Sequence, residues 1–152
     1  MRSQLLVLVL ILVGFTTGCT KYHGLKVLEP KPGHPVNAYQ VDSLEPVLAW
    51  EPSKRANATY DLVIYQEQKI PHPGWSRTKP VPGERVYYRE NLSEAQHKVE
   101  EPLKPNTNYF WTVRERYNGS VSAWSSYSYT GYYCLASESY TNWLFNFRTP
   151  DK

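Results

Sequence analysis

A chain of 152 residues has room for one core of ordinary size with appendages, not for two. Its 17 Lys and Arg against 14 Asp and Glu leave a formal charge of +3 with no basic run or stripe, which excludes the electrostatic footprint of a nucleic-acid binder. Thirteen Tyr, five Trp and twelve Pro combine strand-forming aromatics with turn and linker residues, and they argue for an all-β body over a helical one.

The chain opens on Arg2 and an uninterrupted apolar run from Leu5 to Val13, followed by Gly14 and Phe15. That length falls in the ~7 to 15 residue range of a signal-peptide core and short of the roughly 20 residues that cross ~30 Å of hydrocarbon. The run ends in Thr16-Thr17-Gly18-Cys19, which resembles the lipobox of bacterial lipoproteins, with Thr16 where leucine is usual. The resemblance implies removal of residues 1–18, a diacylglycerol on the Cys19 sulfur and an acylated amine. The membrane then becomes a partner through several acyl chains, each buried methylene adding ~0.8 kcal/mol. It also implies a cell-envelope address, and Thr20, in place of an aspartate retention signal, points to the outer membrane where the host has one. An ordinary secretory signal followed by a coincidental cysteine is the alternative, and it leaves a soluble mature chain. The second cysteine, Cys134, could bridge to Cys19 in an exported domain; lipidation of Cys19 leaves it a free thiol, most simply a small buried hydrophobe, with an intermolecular disulfide as the lesser alternative.

Residues 19–42 are polar and carry Pro30, Pro32 and Pro35 with Gly24 and Gly33, which resists helix and sheet ladder alike and predicts a tether, with a first edge strand near Val36 to Val41. In a polyproline conformation such a spacer extends by ~3.1 Å per residue. Short strands follow, separated by turn residues. Val47 to Trp50 is the first, closed by Pro52; Thr59 to Tyr65 alternates, with Tyr60, Leu62 and Ile64 opposite Asp61, Val63 and Tyr65. Arg85 to Arg89 and His97 to Val99 are shorter. Tyr109 to Tyr117 sets Tyr109, Trp111 and Val113 against Phe110, Thr112, Arg114 and Arg116, and Trp143 to Arg148 closes the series.

Leu103-Lys104-Pro105-Asn106-Thr107-Asn108-Tyr109 matches the L-x-P-x-T-x-Y segment of fibronectin type III domains, and residues 43–149 resemble one such domain. The resemblance implies a fibronectin type III/immunoglobulin-like β-sandwich, preceded by the signal segment and the Pro-rich tether. Leu103 plugs its core, Pro105 fixes a bend, and Tyr109 forms a tyrosine corner whose hydroxyl bonds upstream backbone. Trp50 in Val-Leu-Ala-Trp-Glu-Pro-Ser is similar to the family's strand-B tryptophan, and Tyr60, Leu62 and Ile64 to its strand C. With Trp111 these make the expected structural core, since burying a large aromatic removes ~150 to 250 Å² from water, of order 4 to 6 kcal/mol before entropic corrections.

Two insertions depart from the family. Lys69 to Glu84 holds four prolines, two glycines and Trp75, and predicts an ordered extended loop in preference to extra sheet. Gly119 to Asn142 is rich in aromatics, so the last strand falls either to Ala123-Trp124-Ser125 or, with better alternation, to Leu144-Phe145-Asn146-Phe147. Loops on a rigid sandwich are where recognition is placed, which makes Trp75, Trp124, Tyr127, Tyr129, Tyr132 and Tyr133 the expected partner-binding residues. The same Ser-Tyr alternation also suits a strand that merely lengthens a sheet. For catalysis the residues offer neither a metal-ligand spacing among His23, His34, His72 and His97 nor a local signature around Cys134. The expected function is therefore non-enzymatic and cofactor-free: a protein-binding or scaffolding module in the envelope, with carbohydrate or peptidoglycan binding through the aromatic loops as the alternative. Asn57, Asn91 and Asn118 form glycosylation sequons by pattern, and each is read instead as a turn residue.

Overall fold

The computed structural model describes residues 19–32, 38–71, 78–133 and 136–152, and for 19–20, 129–133 and 136–142 it describes the backbone path. The signal segment, Trp75 and Cys134 lie outside the described residues. In chain order the strands are β1 (Cys19–His23), β2 (Val27–Glu29), β3 (Tyr39–Gln40), β4 (Val47–Trp50), β5 (Thr59–Pro71), β6 (Thr78–Leu92), β7 (Gln96–Lys98), β8 (Asn108–Tyr117), β9 (Ser120–Val121), β10 (Ser126–Tyr133), β11 (Ala136–Trp143) and β12 (Phe145–Arg148).

The period of two decides which side of each strand is buried. Leu48 and Trp50 of β4, Tyr60, Leu62 and Ile64 of β5, Tyr109, Trp111 and Val113 of β8, and Phe145 and Phe147 of β12 all enter one hydrophobic core. These residues come from two sheets: β2-β4-β7, and a larger one ordered β3-β12-β8-β5-β6 with β9 beside the far end of β8. Their facing apolar sides make the all-β sandwich of the fibronectin type III/immunoglobulin kind that the sequence implies. Between the sheets Trp50 meets Tyr60 edge to face at 5.3 Å, and within the larger sheet Tyr109 stacks on its cross-strand neighbour Phe147 at 5.6 Å.

The corner is built as expected. The backbone N–H of Lys104 donates to the Tyr109 hydroxyl at 3.0 Å, and Leu103, tied through its N–H to the Leu44 carbonyl, is buried. Burial pushes the Tyr109 phenol up from its ordinary value, with the Lys104 N–H acting in the opposite direction. Pro105 corrects the expectation that it belongs to the core: it is exposed, and its carbonyl accepts the Thr107 hydroxyl at 2.7 Å, so it shapes the turn from outside. β12 pairs with β8, Phe145 opposite Trp111 and Phe147 opposite Tyr109, which gives the last strand to the preferred segment. Asn57, Asn91 and Asn118 all have positive φ, the conformation that asparagine tolerates in turns and bulges.

Two expectations from composition are overturned. Residues 19–42 are not a free tether: β1 pairs with β10, β2 pairs with β4, and Val27 is buried in the core. Pro30 and Pro32 follow β2 and lie outside its paired residues. Nor is Lys69 to Glu84 a loop throughout, because β5 and β6 stay paired out to Pro71 and Thr78. Proline weighs against sheet only where its nitrogen has to donate. Pro80 and Pro82 are two residues apart, so their nitrogens face the same way, and β6 is an edge strand with one side open. Gly83 lies at the irregularity between Tyr65 and Glu67, where a Cβ would stand 2.9 Å from the Gln66 carbonyl oxygen.

Candidate functional site

The second insertion forms an arm. After β9 the chain follows the β8 edge, the Ser122 N–H donating to the Glu115 carbonyl and the Ser125 N–H to the Val113 carbonyl, each at 2.9 Å. It then leaves as β10, returns as β11, and rejoins the larger sheet as β12; with β1 the hairpin makes a separate three-stranded sheet, β1-β10-β11. Serine and tyrosine alternate along β10 because both suit a strand, one small and hydrogen-bonding, the other flat and apolar.

Ser125 joins this arm to the rest of the molecule. Fully buried, it accepts the Leu25 N–H on its hydroxyl at 2.8 Å and the Thr112 hydroxyl on its carbonyl at 2.6 Å. Gly24 permits that approach: its φ is +82°, and a Cβ there would stand 2.7 Å from the Ser125 hydroxyl oxygen. Beside the junction Tyr127 stacks on Phe145 at 5.6 Å, and Tyr22 of β1 lies over the same ring at 6.3 Å. His23 Nε2 is 3.1 Å from the Ser128 hydroxyl. The root of the arm is thus part of the core.

The outward face of the larger sheet carries a charged cluster. Asp61 occupies the middle of the apolar run of β5 and is fully buried, and β8 sets Arg114 and Arg116 on the same side. Arg114 Nε donates to Asp61 Oδ2 at 2.8 Å, Arg116 Nε to Oδ1 at 2.6 Å, and the Asn91 N–H also reaches Oδ1 at 3.3 Å. Burial pushes the Asp61 carboxyl up, and the two arginines with the Asn91 N–H more than offset it, so the net shift is downward. The Arg114 guanidinium lies 4.4 Å from the centre of the Trp124 ring, and Tyr88 donates its hydroxyl to Glu90, which Arg116 also approaches. The result is an outward face of Trp124, Arg114, Arg116 and Tyr88 whose arginines are held by Asp61.

A further polar group lies between the sheets' edges. The Tyr87 hydroxyl is 2.7 Å from His97 Nε2, and Arg89 lies over the Tyr87 ring while donating to Glu100. Burial pushes the His97 imidazole down, with Glu100 acting against it. Among the described residues no group of three or more His, Cys, Asp or Glu is arranged to hold a metal.

The expected contact residues are therefore dispersed. Trp124 is half-buried on the charged face, whereas Tyr127 corrects the expectation of a binding role, because it is buried in the core where its strand meets Phe145. Tyr129, Tyr132 and Tyr133 lie in β10 as strand residues, not loop residues. Sequence reasoning missed Asp61 and Ser125. Asp61 had a signal, an acid inside Tyr60-Asp61-Leu62-Val63-Ile64 with two arginines at strand spacing elsewhere, while Ser125 had none. No protein-family model, curated protein or solved structure matches this chain.

Proposed function

We propose that this chain is an exported lipoprotein, cut before Cys19 and held in the cell envelope by acyl chains on that residue, which presents a non-catalytic protein-binding sandwich at the membrane surface. One observation carries the reading: a signal-length apolar run from Leu5 to Val13 leads into Thr16-Thr17-Gly18-Cys19, the small-residue approach to a cysteine that a lipobox requires. Supporting the binding half is the outward face of Trp124, Arg114, Arg116 and Tyr88, the residue types on which protein interfaces concentrate their affinity. Its arginines are oriented in advance by Asp61, so little side-chain freedom is lost when a partner docks. Outer-membrane sorting follows from Thr20 where the host has that membrane.

Two measurements test the halves separately. Intact mass of the membrane-extracted chain should show cleavage before Cys19 and added acyl chains; a mature chain of unmodified mass refutes the anchor. A photo-crosslinking residue beside Trp124 should capture one envelope protein in stoichiometric yield, and Trp124→Ala should abolish that capture while leaving the melting curve unchanged. Equal capture by the variant refutes the assigned face.

A further inference from the structure

Cys19 is opposite Thr130, short of the end of the hairpin. β10 and β11 continue beyond that level, Gly131 paired with Glu138, Tyr132 with Ser137 and Tyr133 with Ala136. Antiparallel strands rise about 3.4 Å per residue, so the paired backbone runs on for about 10 Å past Cys19, on the side from which the chain enters β1. From the sequence we infer nothing of this kind; the register alone creates it. Resting on the reading of Cys19 as the lipidated residue, we infer that the paired ends of β10 and β11, residues 131–133 and 136–138, form a second, non-covalent membrane contact that enters the interfacial layer of the bilayer beside the anchor.

The geometry leaves little alternative once the sulfur is fixed at headgroup level. Cys19 is itself a strand residue, with no spacer between the acyl chains and the sheet. β1 leads from it toward the sandwich, which has charged faces and stays in water. The hairpin end, lying in the opposite sense, is directed at the lipid. Each headgroup layer is roughly 5 to 8 Å deep. An extension of about 10 Å therefore crosses that layer if the strands stand upright, and lies along it if they tilt.

Composition agrees. From Val121 to Phe147 there is one charged residue, Glu138, in a chain where charged residues make up 20%. The same stretch supplies Tyr129, Tyr132, Tyr133 and Tyr140 to the arm. Tyrosine suits a boundary where one end is apolar and the other wet. With no Lys or Arg in these two strands, attraction to anionic lipid contributes little; Glu138 lies one pair past Cys19, at headgroup level, and the contact does not depend on salt.

The test uses the full lipidated chain in phosphatidylethanolamine/phosphatidylglycerol vesicles, with Cys134→Ser and one spin label, at Ser137→Cys or, as control, at Ser93→Cys in an exposed turn. Ser139→Cys replaces Ser137→Cys if that variant fails to melt like the parent. The arm label should lose collisions with a water-soluble nickel chelate and gain them with oxygen, at low and high salt alike, while the control label does the opposite. An arm label as open to nickel as the control overturns the inference, and so does one shielded from both reagents, which means a protein cover. Intact mass of the same sample separates the two failures: acylated chain with a water-exposed arm refutes only the membrane contact, whereas an unacylated chain refutes the anchor and this contact with it.

Discussion

The sandwich and the arm differ in what fixes their strand register. In the sandwich, β5 and β8 each have a buried apolar side and an opposite side occupied by Asp61, Arg114 and Arg116, so a slip of one residue would drive charges into the core. Beyond Tyr127 the arm has no such contrast, since Ser-Tyr alternation is tolerable on either side. Its register is fixed at the root, by Ser125 against the Leu25 N–H, the Thr112 hydroxyl and the Val113 carbonyl, and by Tyr127 against Phe145. A hairpin with a weakly patterned sequence can thus be held in one pairing by the body from which it grows.

Substitutions should separate the two regions. The largest effect is expected for Trp50→Ala, which empties the fully buried site against Tyr60 and should cost about 3 to 5 kcal/mol, enough to abolish cooperative melting of a marginally stable domain. A melting temperature equal to that of the parent would overturn the core assignment. Asp61→Ala should come next, at about 3 kcal/mol or somewhat less, because it strands two arginines that retain some solvent. The same residue predicts acid sensitivity. Its folded-state pKa lies below the ordinary 3.8, so its contribution is present in full above that value and is lost as pH falls through the lower folded-state value. Denaturant midpoints of the parent should drop over that range, and those of Asp61→Ala should drop less. Ser125→Ala should have the smallest effect on the body, about 1 kcal/mol or a little more, through the Leu25 N–H left unpaired. Limited proteolysis should nonetheless cut β10 and β11 earlier than in the parent; unchanged cleavage would mean that Ser125 does not hold the arm.

Much of the sandwich was legible because its signals are local. Trp50, the alternation of β5 and β8, and the segment from Leu103 to Tyr109 each declare a buried side or a bend within a few residues. The strands that went unread depend on distant partners. His23 pairs with Ser126 and Val27 with Trp50, and nothing near residues 19–29 announces either partner. Pro80 and Pro82 were weighed as breakers because a sequence does not state which strand will be the edge. Tyr127 illustrates the limit for the site. It belongs to the same Ser-Tyr run as Tyr129, yet the position of Phe145 makes it core. The charged face was half legible: Asp61, Arg114 and Arg116 each fall on the side opposite the core residues of their own strand, but only the pairing of β5 with β8 brings the acid to the two arginines.

The pairing of β1 also determines how the molecule bears load. Hydrogen bonds between antiparallel strands run perpendicular to the chain, so a pull on Cys19 along its strand strains the five pairs from Cys19–Thr130 to His23–Ser126 together, in shear, and does not peel them one at a time. Behind them Gly24 and Leu25 are braced on Ser125. Force entering at that cysteine is delivered straight to the rigid body, as through a bracket and not a leash.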